Sequence, residues 1–241
     1  MKFEDIVNIY EEKKKESRGV TYNFISDIFK EIESRYKEDA RKRGKDPQMS
    51  WNAWSGKNLQ KLIKYVIEDY ILTNYNWIEI TDDDKLRSKK LDRGLDRVRR
   101  NIEIFYEKYS IVPDADIVIY DKRDFEIIAI FSCKASLRER VAQASYWKLK
   151  LMSSENTENI LYFLVSTDND GDFIGIDESI SRDRIIVEFG ELDGAYICRD
   201  IPESTKIRRF GRIFDELDIL FQKWNKTHPV TDYSKEDLTN Y

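Results

Sequence analysis

The chain of 241 residues is long enough for one globular domain, with or without a small subdomain. Its net charge of −5 argues against a protein that coats nucleic acid without specificity, but leaves a site-specific DNA-binding protein possible. No apolar run approaches the roughly 18 residues of a membrane-spanning helix, and the N-terminus lacks the apolar segment of a signal peptide. We therefore expect a cytoplasmic protein with no membrane contact.

Cysteine and histidine are scarce, which excludes several kinds of site. Cys133 lies within an apolar run, so a buried thiol in a reducing compartment is expected rather than a disulfide with Cys198. His228 is the only histidine, which excludes a His-rich zinc site. The 9 glycines include no Gly-rich phosphate-binding loop.

The first 75 residues are predicted to be helical. Apolar residues recur with a helical period through residues 3–40, with a break at Gly19, and again from Trp51 to Leu72. The tryptophans at the start of this last helix are expected to pack in the core. The predicted organisation is a helical N-terminal region over residues 1–75, either part of one domain or a small subdomain, and a core over residues 76–241.

The next stretch mixes one strand with charged helices. Trp77–Ile80 is a short strand candidate, and the acids of Asp82–Asp84 are expected to begin a helix, since adjacent side chains point apart and cannot share one cation. Leu91–Tyr109 is predicted to be one amphipathic helix. Two basic segments, Arg41–Lys45 and Lys85–Arg100, could contact phosphates or form a solvated helix face.

A β-hairpin is the feature with most chemical content. Ile117–Tyr120 and Phe125–Phe131 are apolar runs separated by a charged turn, which is typical of two adjacent strands. Asp114 and Asp116 precede the first strand, and Lys134 follows the second. Because the chain reverses, these groups are expected to meet at one end of the hairpin. Two carboxylates and an ammonium there can hold a divalent cation and a water molecule.

After the hairpin, the pattern predicts alternating helices and strands. In order, they are a helix over Arg138–Met152, strands over Asn159–Ser166, Arg184–Phe189 and Ala195–Cys198, and a helix over Lys206–Trp224. Asp168–Asp172 has the acids of a calcium loop but lacks the glutamate at its twelfth position, so a turn is expected.

The hairpin motif resembles a known enzyme superfamily. A Pro-Asp dipeptide ending at Asp114, followed by Lys134 on the next strand, resembles the PD-(D/E)xK nucleases. The continuation Arg138-Glu139-Arg140 resembles the Lys-x-x-x-Arg-(Asp/Glu)-Arg pattern of type II restriction endonucleases that read CCGG, CCNGG or CCWGG. The resemblance implies an α/β fold with a restriction-endonuclease-like core, in which helices flank a central mixed β-sheet. It also implies Mg²⁺-dependent, site-specific cleavage of double-stranded DNA.

The resemblance assigns a role to each residue at the catalytic end. Asp116 is expected to bind Mg²⁺, with Asp114 as a rival or second ligand, because both lie on the same face of the strand. Lys134 is expected to orient or deprotonate the attacking water and to offset charge on the phosphate.

The recognition residues follow within a few positions. By the resemblance, Arg138, Glu139 and Arg140 read a CC/GG half-site, and Gln143 makes a supporting contact. Arginine can bind guanine O6 and N7 together, and glutamate can accept a hydrogen bond from cytosine N4. A palindromic site matches twofold protein symmetry, so a homodimer is expected, with a cognate DNA methyltransferase as genetic partner.

The chain departs from the family pattern at the second metal carboxylate. The position two before Lys134 carries Ser132 instead of an acid, and Trp147 stands where CCGG-reading enzymes place a glutamate. The second carboxylate is therefore unassigned, with Glu103, Glu107, Glu126 or a residue from another loop as candidates.

These departures leave other functions open. The first alternative is a DNA-binding protein on the same fold that does not cleave, and the second is a PD-(D/E)xK nuclease of repair or recombination. A helical interaction protein without a DNA role is a third, which would show no salt-dependent DNA affinity.

Overall fold

The structure of the protein is a computed structural model that describes residues 1–16 and 24–228. The strands are β1 (Ile78–Asp82), β2 (Ile104–Tyr106), β3 (Tyr109–Ile111), β4 (Ile117–Asp121), β5 (Ile127–Lys134), β6 (Leu161–Ser166), β7 (Gly194–Ile197) and β8 (Ile207–Arg209). The helices are α1 (Phe3–Glu16), α2 (Ile25–Lys42), α3 (Pro47–Asn74), α4 (Asp83–Leu86), α5 (Arg93–Ile102), α6 (Arg140–Met152), α7 (Arg182–Phe189) and α8 (Ile213–Thr227).

The central sheet has six strands in the order β1-β4-β5-β6-β7-β8, while β2 and β3 form a separate hairpin. β1, β4 and β5 pair antiparallel, and β5 to β8 pair parallel. Every residue of β5 is buried, as expected for an apolar strand covered on both faces. The mixed α/β sheet predicted from the sequence is confirmed.

Helices cover both faces of this sheet. On one face, α1, α2, α3 and α8 share an apolar cluster with the sheet that includes Leu62, Phe131 and Phe214. On the other face, α5, α6 and α7 form a second cluster around Ile130 and Val141. The helices before residue 75 therefore pack directly on the sheet, while the division at residues 75 and 76 stays a prediction.

Several local predictions are confirmed. The hairpin of β4 and β5 turns at the charged residues, although Phe125, predicted to begin the second strand, lies in the turn with a φ of 66° and β5 extends to Lys134. Both cysteines are buried and unbridged. Asp82 begins α4, since its Oδ1 accepts a hydrogen bond from the backbone N–H of Lys85 at 2.9 Å. The predicted helices before residue 75 are present, although the break expected at Gly19 lies outside the described residues.

The predicted helix Leu91–Tyr109 is wrong in its second half. α5 ends at Ile102, and the chain continues as the hairpin of β2 and β3. Aromatic and β-branched residues after Ile102 favour strands, and the helical pattern in this short run did not distinguish the two. Glu103 follows the helix, and Glu107 lies in the hairpin turn with a φ of 56°, so neither residue lies on a helix.

Two later elements also differ from the prediction. Arg184–Phe189 belongs to helix α7 and is not a strand, because Ser181 caps the first turn through a hydrogen bond from the N–H of Arg184 at 3.0 Å. The predicted helix Lys206–Trp224 begins as strand β8 and a short 3₁₀ turn, and α8 starts only at Ile213. Short apolar runs fit helix and strand equally well, so tertiary packing decides between them.

Across the described ranges of the chain, no helix combines the length and the apolar character needed to cross a lipid bilayer.

Phe131 provides a test of the core. Its side chain is 0% exposed, and its ring stacks on Phe163 with centroids 5.3 Å apart. We expect Phe131→Ala to lower the free energy of unfolding by about 3–5 kcal/mol, because it leaves a cavity between the sheet and its helices. Urea denaturation measures this. The control Phe189→Ala removes a ring that is 79% exposed and is expected to cost less than about 0.5 kcal/mol. Equal losses in the two variants would contradict this assignment of the core.

Candidate active site

The structure brings the three predicted catalytic residues together at one end of the β4–β5 hairpin. Ile117 begins β4 and pairs with Phe131 of β5, so Asp116 and Lys134 lie at the same edge of the sheet. The Nζ atom of Lys134 donates to Oδ2 of Asp114 at 2.8 Å and to Oδ2 of Asp116 at 3.0 Å. We call Asp114, Asp116 and Lys134 the rim triad.

The rim triad is largely withdrawn from water. Asp116 and Lys134 are each 8% exposed, and Oδ2 of Asp116 also accepts from the N–H of Cys133 at 2.6 Å. Burial raises the pKa of Asp116, although the adjacent ammonium opposes the rise. Burial alone would lower the pKa of Lys134, yet the two carboxylates together raise it above its usual value. Lys134 is therefore a stable ammonium in the folded protein.

Backbone atoms of the rim are held by distant elements. The hydroxyl of Tyr162, on β6, donates to the carbonyl oxygen of Asp114. Gln60, on α3, donates from Nε2 to the carbonyl oxygen of Asp116 and to Oδ1 of Asp83, both at 2.8 Å. No local sequence pattern marks these contacts, since Gln60 lies 56 positions before Asp116.

The expected second carboxylate does not appear among the three candidate glutamates. Glu103 pairs with Arg99 at 3.5 Å. Glu126 pairs with His228 at 3.4 Å, beside the hairpin turn at the opposite end of β4 and β5. Glu107 lies in the β2–β3 turn. In residues 1–16 and 24–228, no three acidic, cysteine or histidine side chains group as a metal centre, so the rim offers two carboxylates.

The two departures from the family pattern lie in different surroundings. Ser132 is 0% exposed on β5. Trp147 packs against the apolar cluster under α6 and contacts Tyr146 edge to face, with ring centroids 5.2 Å apart. The position where a glutamate was expected is therefore occupied by a half-buried ring at the margin of this cluster.

The predicted recognition residues lie just beyond the rim triad. α6 begins at Arg140, two residues later than predicted, and Arg138 precedes it with a left-handed φ of 41°. The side chains of Arg138, Glu139, Arg140 and Gln143 are all exposed. None of the four makes an ion pair or hydrogen bond to a described residue, so these side chains do not form the local ion pairs of an ordinary charged helix turn.

Comparison with known proteins decides the family. The profile of the family described as BsaWI restriction endonuclease type 2 matches residues 89–218, which is more than half of the chain. The chain belongs to this family of type II restriction endonucleases. Such enzymes are site-specific deoxyribonucleases, which confirms the enzyme class predicted from the hairpin motif.

Relatives of this type II restriction endonuclease carry matching descriptions. A putative type II restriction enzyme, MjaVIP, of Methanocaldococcus jannaschii is 35% identical over 173 residues, covering 70% of this chain and 75% of the relative. A probable type II restriction enzyme of Helicobacter pylori is 37% identical over 115 residues, covering 48% of this chain and 58% of the relative.

A solved structure is similar in fold. The chain described as a restriction endonuclease PspGI–substrate DNA complex aligns with a TM-score of 0.55 and 16% identity. The alignment covers 90% of this chain and 93% of the other. It confirms the restriction-endonuclease-like fold expected from the PD-(D/E)xK resemblance.

A buried acid supports the loop that follows β6. Asp168 is 0% exposed, and its carboxylate accepts from the N–H groups of Asp172 at 2.7 Å and Phe173 at 3.3 Å. Burial raises its pKa from 3.8 to about 6, although these N–H donors and Arg199 oppose the rise. The folded restriction endonuclease therefore binds a proton at this site between about pH 4 and pH 6 that the unfolded chain releases.

This carboxyl makes the stability of the loop depend on pH. The contribution of protonated Asp168 to the free energy of unfolding is fully present below pH 3.8 and is lost as the pH rises through about 6. We expect the unfolding free energy of the wild type, relative to Asp168→Asn, to fall by on the order of 2–3 kcal/mol between pH 4 and pH 7. Urea denaturation at several pH values measures it. The control Asp200→Asn alters a side chain that is 87% exposed and is expected to show no such trend; a flat difference for Asp168→Asn would disprove the shift.

Proposed function

We propose that this type II restriction endonuclease cleaves double-stranded DNA in a Mg²⁺-dependent reaction at a short G·C-containing palindrome of the CCGG type. The observation that carries the proposal is the rim triad, in which one lysine contacts two carboxylates four residues before the free side chain of Arg138. Lys134 and Arg138 are close in sequence and lie at the same edge of the sheet, so the proposed catalytic and base-reading residues are neighbours.

The rim fits a hard divalent cation. Mg²⁺ prefers oxygen ligands and is commonly bound by one or two carboxylates together with water and phosphate. In Asp114 and Asp116, Oδ2 makes the contacts to Lys134, whereas Oδ1 carries no hydrogen bond to a described residue. The side chain of Asp114 is 23% exposed, so the site is accessible to a phosphate. When bound, Mg²⁺ supplies an acidified water and neutralises charge on the phosphate.

The contacts of Lys134 support a role as a hydrogen-bond donor. Its Nζ atom carries three N–H donors, and two of them are directed at Asp114 and Asp116. The remaining donor can orient the attacking water and stabilise negative charge on the phosphate, which is the electrostatic form of catalysis. We propose this role for Lys134, with proton abstraction from the water as the alternative.

The start of α6 supports base readout. Arg138 and Arg140 present guanidinium groups, and Glu139 presents a carboxylate, without competing partners in the described chain. These groups match guanine O6 and N7 and cytosine N4 in the major groove. A palindrome requires two such readers, so we infer a homodimer that binds DNA, and a cognate methyltransferase that protects the host site. The DNA present in the similar PspGI structure is consistent with this partner.

A basic segment beside the rim suits the phosphate backbone. The side chain of Arg87 donates to the carbonyl oxygen of Pro113 at 3.4 Å, next to Asp114. Lys89 and Lys90 follow it, are exposed, and form no ion pair within residues 24–228. Exposed cations beside a cleavage site can displace counterions from DNA, although the net charge of the chain is −5.

Removing the rim ammonium tests catalysis. We expect Lys134→Ala to lower the rate of site-specific cleavage by about 100- to 1,000-fold, because a pre-organised charge at the reacting phosphate contributes roughly that much. Cleavage of a long, sequence-diverse, unmethylated DNA in Mg²⁺ measures it, and the fragment ends identify the site. EDTA should abolish wild-type cleavage, and added Mg²⁺ should restore it.

The matched control is Lys226→Ala, which removes an exposed lysine near the end of α8, on the side of the hairpin turn and away from the rim. It should cleave as the wild type does. Cleavage by Lys134→Ala at the rate of the wild type would refute the assignment of Lys134 to catalysis. Site-specific binding without any scission by the wild type would instead support a non-cleaving DNA-binding protein.

Salt dependence tests the basic segment. We expect the double variant Lys89→Ala/Lys90→Ala to bind DNA more weakly on every sequence, and to reduce the slope of log K against log salt by about 2, since each phosphate contact contributes about 0.9. Fluorescence anisotropy at several salt concentrations measures both values. Lys226→Ala serves again as the control, and an unchanged slope in the double variant would place the DNA elsewhere.

A further inference from the structure

A short irregular segment joins the two halves of the proposed site. Ala135–Leu137 lies between Lys134, which ends β5, and Arg138, which precedes α6. Each irregular residue has two soft backbone dihedrals. This linker by itself would therefore let the reading side chains, those of Arg138, Glu139 and Arg140, move relative to Lys134. Its conformation must be set by contacts from outside the linker.

The linker leaves the sheet beside the loop that follows β6. Lys134 pairs with Ser166 in the parallel β5–β6 ladder, so linker and loop start side by side at one edge. The carbonyl oxygen of Ala135 accepts from Oγ1 of Thr167 at 3.2 Å and from the N–H of Asn169 at 3.3 Å.

Asp170 makes the closest contact between loop and linker. Its Oδ2 accepts from Oγ of Ser136 at 2.6 Å and from the N–H of Leu137 at 3.2 Å. One carboxylate oxygen thus binds two consecutive residues, through a side chain and through the backbone. Leu137 is 0% exposed and anchors the same segment in the core under α6. A charged acceptor makes these hydrogen bonds stronger than neutral ones.

The loop that follows β6 and the far end of the linker are each held by an arginine. Arg199 donates from Nη1 to the carbonyl oxygen of Asp168 at 2.8 Å, and Asp168 itself is buried. On the far side of the linker, Nη2 of Arg182 donates to the carbonyl oxygen of Arg138 at 2.9 Å, where the backbone is left-handed. Asp170 therefore acts from a supported loop and not from a free one.

We propose that Asp170 is a positioning residue that couples base readout to cleavage by holding the linker between Lys134 and the start of α6. The inference rests on the proposed function and adds to it a residue outside both the rim triad and the reading side chains. With the linker held, correct contacts at Arg138, Glu139 and Arg140 place Lys134 at the phosphate. When the linker is released, cleavage depends less on correct base contacts. A misplacement of Lys134 by about 1 Å then lowers the cleavage rate roughly 100-fold.

Variants of the full-length chain test this coupling. The single-turnover cleavage rate is measured at saturating enzyme on two duplexes. One duplex carries the cognate site, and the other carries that site with a single changed base pair. We expect Asp170→Ala to lower the cleavage rate on the cognate site by about 10- to 100-fold. We also expect it to lower the specificity ratio, which is the rate on the cognate duplex divided by the rate on the duplex with the changed base pair. Asp170→Asn keeps an oxygen acceptor for Ser136 and Leu137, and should recover most of both losses.

Two further variants separate positioning from folding. Asn169→Ala is the matched control on the same loop, since the exposed Asn169 side chain makes no hydrogen bond within residues 24–228 and its backbone donor remains. It should match the wild type. Ser136→Ala removes one of the two donors without altering the loop, and should lower the same ratio by less. This variant carries the test if Asp170→Ala does not fold.

The outcomes are distinguishable. A ratio of the two rates that is unchanged in Asp170→Ala overturns the inference, whether or not both rates fall together. Failure of the wild type to cut at defined sites overturns the proposed function itself, and the inference with it.

Discussion

The antiparallel pairing of β4 with β5 determines where the chemical groups of this enzyme lie. Ile117 opposite Phe131 places the residue before β4 beside the end of β5, and a shift of one residue would turn every side chain to the opposite face. The register is irregular between Ile119 and Tyr120, toward the turn, so the pairing at the rim end remains regular. Burial of both strands on both faces makes any other register costly, because it would place the rim charges in an apolar layer.

The rim triad shows how a buried charge cluster is maintained at such an edge. Taking a carboxylate and an ammonium from water costs several kcal/mol each, and only close contacts with good geometry offset that cost. Lys134 satisfies two carboxylates at once, and Asp116 gains a backbone donor from Cys133.

The elements around the hairpin connect distant parts of the chain to the rim. α3 contributes Gln60 from one face of the sheet, and β6 contributes Tyr162, so the backbone of Asp114 and Asp116 is held by segments on either side of it in sequence. α3 thus supports the rim in addition to covering the sheet. Precise placement of reacting groups depends on supporting contacts of this kind.

The sequence by itself determined the hairpin and the meeting of the rim triad, because the apolar period is a local property. The mixed sheet and the enzyme class followed from the resemblance of the short motif to a known family. The sequence did not determine the end of α5, the helical state of α7 or the strand β8, since short apolar runs satisfy both periods and packing against the sheet makes the choice.

The tertiary structure decided what no local pattern encodes. It showed that Glu103 and Glu126 pair with other side chains and that Glu107 lies in the β2–β3 turn. It also showed that Trp147 packs half-buried against the core and that Gln60 reaches the rim. Contacts between residues tens of positions apart depend on how the sheet and its helices pack. That packing is a property of the whole chain, so the contacts of Gln60 and Tyr162 that hold the rim backbone became visible only in the folded protein.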